Sequence, residues 1–219
     1  MATGCCDHPA AGCSVELSKY GIVRNGPEIK FWCVRVPGVG EVRPRVCAGC
    51  GASAISGGRI RLQGHGRVSR WVRGVVREGE PPDDVDLVLR RYRCRSCGAV
   101  MRVGPPGVLA HRRYSAPTIL FALGLWCIGA LPSETVRTRV SPDLHRGATA
   151  SVQRWTTLLR WARAMTGLRR PGGLRTRTTL ALRSAAQVLG GLGLGAPKPD
   201  LLFHAGHHAH EGLLRAHEA

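Results

Sequence analysis

Four cysteines have the types and spacing for chemistry. The stretch VCAGCGA at 46–52 and the stretch RCRSCGA at 93–99 are the same Cys-x-x-Cys-Gly-Ala knuckle, with 43 residues between Cys50 and Cys94. Together Cys47, Cys50, Cys94 and Cys97 offer four thiolates, the set that a tetrahedral Zn2+ takes, and a two-residue gap lets both sulfurs of one turn face one ion. Gly51 and Gly98 suit that role, because the residue after the second cysteine often needs a positive φ so that backbone N–H groups point at sulfur.

Other uses of these cysteines are weaker. A redox Cys-x-x-Cys pair is a single motif between a strand and a helix of a βαβ unit, whereas here there are two knuckles, each flanked by strand-like sequence. Unbound cysteines are the remaining alternative. His65, in LQGHGRVSRW, reads as a turn or phosphate-contacting residue, since four thiolates already complete a shell. Near the N-terminus Cys5, Cys6, His8, Cys13 and Cys33 resemble a second, worn ribbon half with irregular spacing.

The knuckles must be held by strands. Between them RIRLQGHGRVSRWVRGVV alternates basic and apolar residues, DVDLVLRRYRC does the same, and EGEPPDDVD reads as the hairpin loop joining them. Period two with glycine interruptions predicts a short antiparallel sheet, which with two knuckles makes a zinc ribbon. So small a sheet buries little apolar surface, and metal would contribute much of its folding energy, on the order of 10 kcal/mol.

The partner class follows from charge. The chain of 219 residues carries a net charge of +18, and its 32 basic residues include only three lysines, Lys19, Lys30 and Lys198. Such an arginine skew with abundant Gly, Ala and Pro suggests a GC-rich bacterial genome. Residues 41–170 hold most of the excess positive charge. A field of that sign favours polyanions, double-stranded DNA foremost. No basic-then-apolar signal peptide opens the chain, so a cytoplasmic, nucleoid-associated location is expected, where paired cysteines mean metal more often than disulfide.

Three helices are expected next. Ser115 can cap and Pro117 sits in the first turn of a helix running to about Ile128, apolar on every side but too short to span a bilayer, hence a core helix and no membrane partner. Ser133 offers a cap for SETVRTRV, which carries Arg137 and Arg139. After the loop SPDLHRG, Thr149 or Ser151 caps SVQRWTTLLRWARAM. Val152, Trp155, Leu159, Ala162 and Thr166 fall on one arc, with Gln153, Thr156, Thr157, Arg160 and Trp161 opposite. The order fits a helix-turn-helix whose third helix enters the major groove. Gln153, Arg154, Thr157 and Arg160 are its expected DNA contacts, with Arg137 and Arg139 on the second helix.

The order Cys-x-x-Cys-Gly knuckle, HGR, RYRCRSCG, RRYS and SVQRW, over residues 45–165, resembles the N-terminal region of bacterial insertion-sequence transposases. That resemblance implies zinc at Cys47, Cys50, Cys94 and Cys97, a recognition helix from Ser151, and binding to the inverted repeats that end a transposon. In that family the region precedes an RNase H-like catalytic domain with three carboxylates. After Met165 this chain has only Asp200, Glu211 and Glu218 as acids, so no such domain fits.

The expected fold is therefore α+β: a cysteine-containing segment at 1–44, a zinc ribbon at 45–113, a helix-turn-helix at 114–170, and at 171–219 a helical segment, a linker and a partly disordered tail holding five of the nine histidines. The expected function is zinc-dependent, sequence-specific DNA binding of transposase type without catalysis. Alternatives are a transcriptional regulator, a transposase subunit whose catalytic half lies on another chain, and a protein-interaction module. A second copy or a transposase chain would be the protein partner.

Overall fold

The computed structural model describes residues 21–75, 79–142, 155–166 and 172–190. Cys5, Cys6, His8, Cys13, Gln153, Arg154 and the histidines from His204 onward lie outside the described residues. The architecture is α+β, as expected.

Its sheet has four strands, in the order β1 (Ile22–Arg24), β6 (Val100–Gly104), β5 (Asp83–Cys94), β4 (Leu62–Gly74). Strands β4 and β5 form the long antiparallel hairpin that the alternating pattern predicts, and β6 pairs antiparallel with β5. The pairing slips between Gly64 and Arg67, where exposed His65 and Gly66, with φ of 89°, form a bulge. A separate two-stranded turn joins β2 (Ile55–Ser56) to β3 (Arg59–Ile60). Gly57 and Gly58, with φ of 55° and 70°, give it the doubly left-handed corner that a tight hairpin needs.

Part of the segment before residue 45 belongs to this sheet. Strand β1 adds to β6 in parallel, and α1 (Ile29–Val34) buries Ile29 and Trp32 in the same apolar cluster as Leu62, Leu89, Tyr92 and Val103. The chain after α1 is tied across β5: the Tyr92 hydroxyl donates to the Val39 carbonyl at 2.7 Å, and Arg90 Nε to the Pro37 carbonyl at 2.7 Å.

A second cluster is helical, built from α2 (Ala116–Cys127), α3 (Ser133–Val140), α4 (Thr156–Thr166) and α5 (Leu174–Gly190). Ser115 caps α2 as expected, accepting from the Thr118 N–H at 3.3 Å, and α2 is buried on most sides. Among the described residues no helix is long and apolar enough to cross a membrane. The cap of α3 differs from expectation: Pro132 occupies the cap position and Ser133 is the first helical residue. Helix α5 packs on α2 and α4 and buries Thr178 and Leu182.

Sheet and helices meet at the end of β4. Gly74, with φ of 111°, lies so close to α2 that a Cβ there would stand 2.4 Å from Thr118 Cγ2. Thr118 Oγ1 donates to the Val75 carbonyl at 3.0 Å, and the Arg73 guanidinium lies 5.9 Å from the Tyr114 ring centre.

Candidate metal centre

Each cysteine pair enters the centre from a tight turn, and the repeated sequence folds into repeated geometry. The Cys47 N–H donates to the Ala52 carbonyl at 2.8 Å and the Gly51 N–H to the Cys47 carbonyl at 2.9 Å. In the second turn, the Cys94 N–H donates to the Ala99 carbonyl at 2.9 Å and the Gly98 N–H to the Cys94 carbonyl at 2.9 Å. Gly51 and Gly98 have φ of 70° and 74°, the left-handed region that favours glycine.

The hairpin brings the two turns together. Cys94 ends β5 opposite Leu62 at the start of β4, the Val46–Ser53 bridge closes the base of the first turn, and the Leu62 N–H donates to the Ala54 carbonyl at 3.2 Å. The Sγ atoms of Cys47 and Cys97 are 3.7 Å apart, those of Cys50 and Cys94 3.8 Å, and all four lie within 4.8 Å of one another. A tetrahedral centre with metal–sulfur bonds of about 2.3 Å has sulfur–sulfur edges of about 3.8 Å. The four thiols could therefore hold a metal ion, and they leave no coordination position for a substrate. Cys47 and Cys94 are buried, whereas Cys50 and Cys97 sit at the surface.

Electrostatics among the thiols is uneven. Burial opposes charge on Cys94, but the Cys97 and Ser96 N–H groups and the neighbouring Cys47 and Cys97 thiols donate to it and pull it down to about 6. The Ala52 N–H favours a Cys50 thiolate, yet Cys97, burial and the other thiols prevail and push it up to about 12. Burial also pushes Cys47 up. Negative charge on thiols packed this closely is mutually unfavourable, and a cation bound among them would relieve it.

Two supporting residues were not foreseen. Met101 Sδ accepts from the Ala48 N–H at 3.2 Å, fastening the first turn to β6. At Gly49 an added Cβ would stand 3.2 Å from Ala99 Cβ, so the turns touch there. Position beside a knuckle was their only signal in the sequence.

The expected DNA contacts are scattered over the helices. Arg139 and Arg160 are exposed, while Arg137 and Thr157 are half-buried. Helix α4 is turned about its axis relative to the expected arc. Trp161, expected on the open face, is 6% exposed and packs edge-on against Tyr114 and Trp155, with ring centres 4.9 and 5.4 Å away, while Leu159 is only half-buried. The buried stripe is Leu158, Trp161, Ala162, Met165 and Thr166. Trp161 is drawn to this side by Tyr114 and Trp155, and α5 and α2 also pack on α4.

Compared with protein-family models, with curated proteins and with solved structures, the chain finds no match in any of the three.

Proposed function

We propose that the chain is a zinc-ribbon protein that binds double-stranded DNA, of the kind that recognises transposon ends. The observation that carries this reading is the four-thiol tetrahedron at the end of a basic sheet. Four cysteine ligands with no open position are the donor set of a structural zinc site. Zinc here would link the two turns and so stabilise the sheet, while arginines supply phosphate contacts. Helix α4, with Arg160 and Thr157, and helix α3, with Arg137 and Arg139, would contribute base or backbone contacts.

The test is elemental analysis of purified protein joined to DNA-binding assays across a salt series. The reading expects about one zinc per chain and an affinity for duplex DNA that falls steeply with salt. Metal-free folded protein, or affinity independent of salt, would sink it.

A second reading, a protein-interaction module, draws on exposed apolar side chains flanking both turns. Val46 precedes Cys47, Ile55 and Ile60 sit on the small hairpin after the first turn, and Val100 follows the second. Binding to a protein partner that survives charge reversal at Arg137, Arg139 and Arg160 would favour it.

A further inference from the structure

Strand β5 changes the face it buries partway along its length. Leu87 and Leu89 are buried on one face, and further on Tyr92 and Cys94 are buried on the other. By the two-residue period Arg91 and Arg93 continue the face of Leu87 and Leu89. Around Leu89 that face is covered: Gly104 sits so close that a Cβ would meet Leu89 Cδ2 at 2.7 Å, and Arg70 donates to the Leu109 and Arg112 carbonyls. Beyond Leu89 the cover thins: Arg91 and Arg102 are half-buried beside buried Ile22, and Arg93 is exposed.

The register concentrates charge there. Arg91 pairs directly with Arg102, and Arg93 lies between Val100 on one side and Gln63 on the other, so all five side chains rise from one half-face. Arg93, Gln63 and Val100 are exposed. Among the described residues the side chains of Arg91, Arg93 and Arg102 have no hydrogen-bond or ion-pair partner. The one acidic strand residue on this face is Asp83 at the far end of β5, roughly 27 Å along the strand from Arg91.

Like charges directly opposite in a sheet repel, and nothing within the described residues offsets them. A guanidinium fork matches phosphate, and a cluster of three on two neighbouring strands suits a ligand carrying several negative charges. We infer that this open half-face seats the sugar–phosphate backbone of a nucleic-acid strand on Arg91, Arg93 and Arg102, with Gln63 at its margin. The inference rests on the nucleic-acid reading above and moves the principal phosphate grip from the helices to the sheet beside the metal centre.

The experiment titrates a labelled duplex of random sequence with full-length zinc-loaded protein at several salt concentrations, for wild type, R91Q/R93Q/R102Q and R91K/R93K/R102K. Loss of three phosphate contacts lowers the slope of log affinity against log salt by about 2.7 and weakens binding at least about tenfold, while the lysine variant keeps the slope. Metal content and thermal unfolding check the fold, and R93Q alone, with an expected slope change of about 0.9, serves if the triple glutamine variant does not fold. Wild-type binding with an unchanged slope in these variants overturns the inference and leaves the DNA reading standing. No salt-dependent binding by wild type overturns the DNA reading itself. Equal affinity for polyglutamate overturns nucleic acid as the occupant.

Discussion

The sulfurs of Cys47 and Cys97 lie 3.7 Å apart although 50 positions separate them in the chain. Closing so long a loop costs entropy, and the thiols oppose one another unless a cation sits between them. The sheet hairpin and a metal ion at this centre would therefore support each other: the strands deliver the turns, and an ion bound there would hold them.

Removal of one ligand should undo that bond. Cys47→Ser and Cys94→Ser are each expected to abolish stoichiometric zinc and to loosen the knuckle end of the sheet, since a structural zinc site contributes on the order of 10 kcal/mol. Elemental analysis with amide hydrogen exchange of β4 to β6 reads both effects. Retention of full zinc by either variant would exclude the four-thiol centre.

The junction between sheet and helices predicts a contrast between two glycines. Gly74→Ala must fit a side chain at φ of 111° against Thr118, whereas Gly79→Ala, at φ of 77°, meets nothing within 4 Å. The first should cost about 2–4 kcal/mol and the second about 1 kcal/mol, from backbone strain alone. Chemical denaturation measures the difference, and equal costs would show that the sheet does not press on α2.

Helix α4 separates packing from recognition at adjacent residues. Trp161→Ala should destabilise by about 3–5 kcal/mol, as a buried aromatic does. Arg160→Ala, exposed one position earlier, should stay within about 0.5 kcal/mol of wild type while lowering DNA affinity. Unfolding curves measured beside binding isotherms test both, and a large stability loss at Arg160 would place the helix the other way round.

Cys127 should be slow to alkylate. Burial pushes its thiol up to about 11 against the weaker opposing effects of Thr179, Arg175 and Thr178. A raised pKa keeps the thiol neutral, so at pH 8 only about one molecule in a thousand is thiolate, against roughly a quarter for an ordinary cysteine. Iodoacetamide labelling read by peptide mass should be slow in folded protein at pH 8, rise with pH, and become fast on unfolding. Rapid labelling at pH 8 in the folded state would contradict the burial.

One replacement tests the arginine pair on the sheet. Arg102→Gln relieves like-charge repulsion with Arg91 and should leave stability unchanged or raise it by up to about 1 kcal/mol. Thermal unfolding in low salt gives the sign, and a marked loss would mean that the pair is held by partners within the fold.

What the sequence determined by itself is what short-range chemistry dictates. The two-residue cysteine gap and the following glycine set each knuckle, alternation set the β4–β5 hairpin, and Ser115 with Pro117 set the start of α2, because each signal lies within a few residues of its effect. Only the tertiary structure decided which surfaces are used. The parallel docking of β1 on β6 joins residues 80 apart, and no local pattern in IVR announces it. The change of buried face along β5 depends on what covers each side, Val39 on one and the chain around Leu109 on the other, so Arg91 and Arg93 read as ordinary alternation until those covers are in place. Helix α4 shows the same limit: its periodicity is visible in the sequence, but its orientation depends on partners distant in the chain, and Trp161 goes to the core against Tyr114 and Trp155 because a large aromatic gains more from burial than Leu159 does at the edge.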